Sequence, residues 1–163
     1  MIVRGLHHNA YRCRDSEKTR SFYEDFLGLP LSGALDIGET MTGRSAKVLH
    51  TFYAMGDGSY MAFFEVPEVD FEFKEQHDFD LHIALETSAD DLQRMLEKAQ
   101  AEGREVRGPT DHGMVHSIYL RDPSGYVVEL TAKTPRHDEL MNPETNGARR
   151  IVDDWQRSKA SSS

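Results

Sequence analysis

The sequence predicts an α+β chain made of two tandem βαβββ modules followed by a C-terminal helix. Three observations carry this. Residues 48–63, VLHTFYAMGDGSYMAF, align without a gap to residues 114–129, MVHSIYLRDPSGYVVE. Upstream, HNAYRCRDSEKTRSFYEDFLG from His8 matches HIALETSADDLQRMLEKAQAEG from His82 with one extra residue in the second. In both, a strand-like run opening on His leads into a helical pattern that stops at Gly. A duplication of this kind fixes the fold and shows where equivalent side chains should fall.

The elements follow in order. Strands begin at His8 and His82, and helices start at Asp15-Ser16 and at Ser88, where short polar side chains can cap the first turn. They stop at Gly28 and Gly103, since glycine takes the left-handed C-terminal conformation without steric cost. One further strand fits near residues 30–35 in the first copy and 104–107 in the second. Two more follow in each copy, joined by Gly56-Asp57-Gly58 and by Asp122-Pro123-Ser124-Gly125. The boundaries expected are 1–66 for module one, 67–80 for an acidic linker, 81–133 for module two and 134–163 for an extension. That extension holds a helix carrying Ile151, Val152 and Trp155, and ends in a serine tail expected to be disordered.

With 163 residues the chain is the size of one ordinary domain, duplicated inside. The formal net charge of -9 argues against a nucleic-acid partner, because phosphate binding draws on clustered Lys and Arg. Cys13 is the only cysteine, which excludes an internal disulfide and a thiolate zinc cluster, and a reducing cytoplasm is expected. No stretch approaches the length of apolar sequence that spans a membrane, and the N-terminus has no signal-like apolar region.

The ordered set of His8 with Asp15 seven residues on, Phe22-Tyr23, Leu27-Gly28, His82, and Asp122-Pro123-Ser124-Gly125 with Glu129 resembles the vicinal oxygen chelate superfamily. That superfamily includes glyoxalase I, methylmalonyl-CoA epimerase, the fosfomycin and bleomycin resistance proteins, and the extradiol dioxygenases. The resemblance covers roughly residues 6–132. It implies that the modules form a cupped mixed sheet around a divalent metal, with His8, His82 and Glu129 as ligands. His7 is the rival of His8, and both the spacing to Asp15 and the repeat favour His8.

Glyoxalase I and the epimerases use a fourth protein ligand on the last strand of module one. The ungapped repeat puts Phe63 there, which leaves two His and one carboxylate, the facial triad of non-haem iron oxygenases. Glu65, one pleat beyond Phe63, is the alternative fourth ligand. The resemblance therefore points to an Fe(II) dioxygenase of extradiol type acting on a catechol-like substrate that offers two oxygens, with Mn(II), Ni(II) or Zn(II) as other metals. A glyoxalase-like lyase or isomerase on a glutathione hemithioacetal or acyl-CoA is the alternative, and a non-catalytic antibiotic- or metabolite-binding protein is a third. The partner expected is a small molecule, with no nucleic acid or membrane, and the assembly expected is a homodimer.

Tyr119, ten residues before Glu129, stands where ring-cleaving enzymes of this kind carry an active-site tyrosine. His112 is the candidate acid/base histidine and His116 the second, since alternation points His116 away from Tyr119. Its repeat mate His50 is expected to be structural. Arg12, Phe63 and Glu65 are candidate substrate contacts. Arg12 and Glu86, pseudo-equivalent and opposite in charge, are expected to pair; otherwise Arg12 meets an anionic group of the substrate. His77 and His137 sit in acidic loops and are expected to be solvated.

Overall fold

The computed structural model describes residues 2–39, 45–77 and 79–160, so the serine tail and position 78 of the linker lie outside the described residues. Two four-stranded mixed sheets with their helices form the tandem βαβββ architecture. The strands are β1 (His8–Arg12), β2 (Leu31–Glu39), β3 (Ser45–Ala54) and β4 (Tyr60–Glu65), then β5 (Ile83–Glu86), β6 (Val106–Asp111), β7 (Val115–Arg121) and β8 (Val127–Lys133). Sheet orders are β1-β4-β3-β2 and β5-β8-β7-β6, so the two modules share one topology. In each, the first strand runs parallel to the fourth. By contacts the chain forms two compact units, Met1–His82 with Arg121–Val127, and Ile83–Leu120 with Val128–Ser163.

In the first unit α1 (Ser16–Arg20) starts where Asp15 accepts the Lys18 N–H at 2.8 Å. The helix then widens to π geometry over residues 21–26, where Leu27 N–H reaches the Phe22 carbonyl at 2.9 Å. This segment buries Phe22, Tyr23 and Phe26. Tyr23 lies 4.6 Å from Phe63 and 5.7 Å from Tyr53, ring centre to ring centre, so Phe63 and Tyr53 belong to the helix-covered face of the sheet.

Tyr23 also donates its hydroxyl to Asp122, whose other carboxylate oxygen accepts the N–H groups of Ser124, Gly125 and Tyr126. Burial pushes the Asp122 carboxyl up, and those N–H groups oppose the shift. Gly125 has φ 112°, and a Cβ there would stand 2.9 Å from the Phe73 ring, which is why this turn ends on glycine.

In the second unit α2 (Ala89–Ala101) is capped by Ser88, which accepts the Asp91 N–H at 3.1 Å. Its Leu92, Leu96 and Ala99 are buried at helical spacing. The sheet supplies the matching apolar face: Leu85, Ile118, Leu120, Val128 and Leu130 are buried and alternate with polar residues on the opposite side. Two short helices, α3 (His137–Leu140) and α4 (Ala148–Ala160), follow, and α4 exposes Ile151, Val152 and Trp155. His137, expected to be solvated, keeps only 22% of its side chain exposed and contacts Asp138.

The register differs from the ungapped repeat by one residue. Met55 N–H to Ser59 O closes the first β-hairpin and Asp122 N–H to Tyr126 O closes the second. Residue 55 thus corresponds to 122, and Glu129 to Ala62 instead of Phe63. A slip of one moves every side chain to the other face of a strand.

Candidate active site

Each sheet has one face under its helix and one face turned away from it. In the first unit the register His8↔Tyr60, Ala10↔Ala62 and Arg12↔Phe64, continued as Phe52↔Ala62 and His50↔Phe64, assigns the second face. It carries His8, Arg12, His50, Phe52 and Phe64. The His8 ring lies 5.7 Å from Phe52 and 6.3 Å from His50. His8 Nδ1 contacts His7 Nδ1 at 2.8 Å, which leaves Nε2 as the ring nitrogen for a metal.

His50 was expected to be structural, and it is indeed buried, at 7% exposure. Its ring stacks on Phe64 at 3.6 Å, and its Nδ1 is 2.9 Å from the Phe63 carbonyl. A carbonyl only accepts, so Nδ1 is the donor in this contact. It lies on the same face as His8, an orientation that matching it to His116 hid.

Phe63 and Glu65 do not reach that face. Phe63 is fully buried among Tyr11, Tyr23 and Tyr53, and is a core residue instead of a substrate contact. Glu65 accepts Ser16 N–H at 2.7 Å and the Ser16 hydroxyl, tying β4 to the start of α1. It is engaged there as a capping carboxylate on the helix side of the sheet. Arg12 Nη2 donates to the Val69 carbonyl at 3.0 Å in the first unit, and Glu86 holds Lys133 at 2.9 Å in the second. Arg12 lies between two cavities of about 430 and 380 Å³, and its Nε is buried without a hydrogen-bond partner.

In the second unit Ala84 is the register partner of Glu129, and the β7–β8 register brings Tyr119 opposite Glu129. His82 immediately precedes β5 and is exposed. Glu129 is 6% exposed. Tyr119 hydroxyl lies 2.7 Å from His112 Nε2. Burial first, then the Glu129 carboxylate, push its phenol up, so it is protonated at neutral pH. Arg107, the register partner of Tyr119, holds its guanidinium carbon 5.4 Å from the ring centre. His116 is on the other face, 3.5 Å from Asp111 and half exposed, which removes it from the Tyr119 group.

Among the described residues no three His, Cys, Asp or Glu side chains form a metal-sized cluster. The donor set of two imidazoles and one carboxylate suits a divalent transition metal, and the His8–His7 contact supplies the outer hydrogen bond that such ligands use.

Residues 5–130 match the family model of the Glyoxalase/Bleomycin resistance protein/Dioxygenase superfamily. The chain belongs to this superfamily. Among curated relatives it is similar to lactoylglutathione lyase of Neisseria meningitidis, 29% identical over 139 residues that cover 83% of this chain and 95% of the relative. A probable lactoylglutathione lyase of Vibrio parahaemolyticus is 28% identical over 130 residues, covering 76% and 86%.

Solved structures with the same fold include the fosfomycin resistance protein FosX of Listeria monocytogenes, with a TM-score of 0.62, 20% identity, and coverage of 85% of this chain and 99% of that one. That structure contains Mn(II) and 1S,2S-dihydroxypropylphosphonic acid. A glyoxalase/dioxygenase from Nostoc punctiforme aligns with a TM-score of 0.59 and 20% identity, covering 80% and 92%. Among the described residues no helix is long and apolar enough to cross a membrane.

Proposed function

We propose that this protein is a divalent-metal enzyme of extradiol type, with His8, His82 and Glu129 as the only protein ligands and a catechol-like diol as substrate. The observation that carries this is the composition of the face turned away from α1. The position corresponding to Glu129 is Ala62, and Glu65 is committed to Ser16. Three protein ligands leave room for a substrate offering two neighbouring oxygens together with dioxygen.

A bound Fe(II) would supply charge stabilisation and lower the pKa of the diol hydroxyls. The chain's own residues do the proton work. His50 presents Nε2 as an acceptor, its tautomer fixed by the Phe63 carbonyl, and takes a hydroxyl proton from the substrate. Tyr119, kept protonated and held by His112, donates to a substrate oxygen; His112 returns the proton from solvent. Phe52 and Phe64 give the diol ring an apolar wall on the His8 side.

A homodimer is part of this proposal.

The lyase reading is favoured by the names of the curated relatives. The two separate in one assay. Protein loaded with Fe(II) under nitrogen is given catechol and air, while protein loaded with Ni(II) is given the glutathione hemithioacetal of methylglyoxal. Ring-opened product, absorbing in the visible, is expected with iron. Isomerisation with nickel and no ring opening with iron would replace the oxygenase reading by the lyase one.

A further inference from the structure

Alternation along β3 puts Leu49, Thr51 and Tyr53 on the helix side of the first sheet, with Glu65 the register partner of Leu49 and Ala34 that of Thr51. Between this face and the start of α1 lies a cleft of about 460 Å³, on the opposite side of the sheet from His8 and His50. Its floor holds two buried hydroxyls. Tyr53 is fully buried and Thr51 is 4% exposed, and neither hydroxyl makes a hydrogen bond of proper geometry. Burial pushes the Tyr53 phenol up, so it stays protonated at neutral pH, and the neighbouring Thr51 hydroxyl opposes part of that shift. Even a mutual bond would leave one hydroxyl proton and several lone pairs unused. A buried polar group without a partner carries its full desolvation cost, which a ligand in the cleft can relieve.

The walls set the charge of that ligand. Leu31, Ala34 and Leu49 make one side apolar, and Asp15, Glu17 and Glu65 bring carboxylates to the other. Arg20, which also lines the cleft, is taken up by Glu17, Glu24 and Asp25, and its bonds hold the Glu17 carboxyl below the usual range and ionised. The surplus charge is therefore negative. Glu65 spends only part of its acceptor capacity on the Ser16 N–H and hydroxyl. Among the described residues no three His, Cys, Asp or Glu side chains gather closely enough to hold a metal ion, so the donors suit a larger organic cation.

We propose that this cleft is a binding site for a small aliphatic primary amine, whose ammonium donates to the Thr51 and Tyr53 oxygens and the Glu65 carboxylate while its chain lies on Leu31, Ala34 and Leu49. An ammonium has three N–H donors and no acceptor, which matches these three oxygen acceptors. Charge-assisted bonds give the amine an advantage of about tenfold to a hundredfold over a neutral alcohol of the same length. The site is separate from the face of His8 and does not depend on the oxygenase reading.

The test titrates butylamine, butanol and butyrate into the full chain at neutral pH, for the wild type, Tyr53→Phe, Thr51→Val and Glu65→Gln. Calorimetry reads the affinity, amide NMR shifts read the place, and thermal melts without ligand read the stability. The expected result is saturable binding of the amine with shifts in β3 and α1, weaker binding of butanol and none of butyrate. Tyr53→Phe and Thr51→Val, which keep the side-chain volume, should each weaken the amine about tenfold, and Glu65→Gln should remove its preference over butanol. Tyr53→Phe should melt no lower than wild type, because it deletes a hydroxyl that has no partner within the chain. Equal affinity for amine and butanol, amine shifts confined to the His8 face, or no saturable binding overturns the inference. A lowered melting temperature in Tyr53→Phe with amine affinity unchanged also overturns it, and assigns the hydroxyl to a structural water.

Discussion

Replacing Glu65 by alanine separates a three-ligand metal centre from a four-ligand one. In the structure Glu65 accepts the Ser16 N–H and hydroxyl, a part-buried anchor between the end of β4 and the first turn of α1. Hydrogen bonds to a charged group contribute about 1.5–3 kcal/mol each, and partial solvent access reduces the pair to about 2 kcal/mol in total. For a chain of this size that is a fall in Tm of about 4–8 °C. Thermal melts of metal-free protein followed by circular dichroism read the stability, and elemental analysis after reconstitution reads the metal. The expected outcome is a lowered Tm with metal content equal to wild type. Unchanged stability of the metal-free protein with loss of bound metal would instead make Glu65 a ligand.

Tyr119→Phe should lower kcat by about a hundredfold to ten-thousandfold with metal content unchanged, the range expected for loss of one positioned proton donor; steady-state kinetics with catechol checks it. If the sites form between two copies, equal amounts of His8→Ala and Glu129→Ala chains, each inactive alone, should regain about a quarter of wild-type activity after mixing through unfolding and refolding, because a mixed dimer keeps one intact site. If the ligands converge within one chain, the mixture stays inactive. Asp122 has a carboxyl raised by burial, so its contribution to stability is fully present below the ordinary carboxylate range and is lost as pH rises through its folded pKa. Denaturant titrations should show Asp122→Asn, which mimics the protonated group, gaining on wild type as pH rises from about 3 to 7.

The tandem modules, both helix caps and the turn residues were legible because each rests on local chemistry: Asp15 and Ser88 cap, and Gly28 and Gly103 take positive φ. The match of His50-Thr51-Phe52-Tyr53 to His116-Ser117-Ile118-Tyr119 misled. In the first module His50 faces away from the helix and Tyr53 faces it, while in the second Tyr119 faces away and His116 does not. The identities are real in sequence and one residue out in register, and hydrogen-bond partners across a sheet decide between the two.

That single slip placed Phe63 on the face of the site and hid the face that His50 shares with His8. The partners of Arg12 and Glu86, Val69 and Lys133, lie in segments where the repeat offers no equivalent positions to compare.

The most direct measurement is X-ray absorption at the metal edge of Fe(II)-loaded protein, with the His8→Ala, His82→Ala and Glu129→Ala variants as controls. Two imidazole scatterers and one carboxylate from the protein are expected, with water oxygens in the other positions and loss of metal in each variant. A fourth protein ligand, or full metal binding without any one of these three residues, would contradict it.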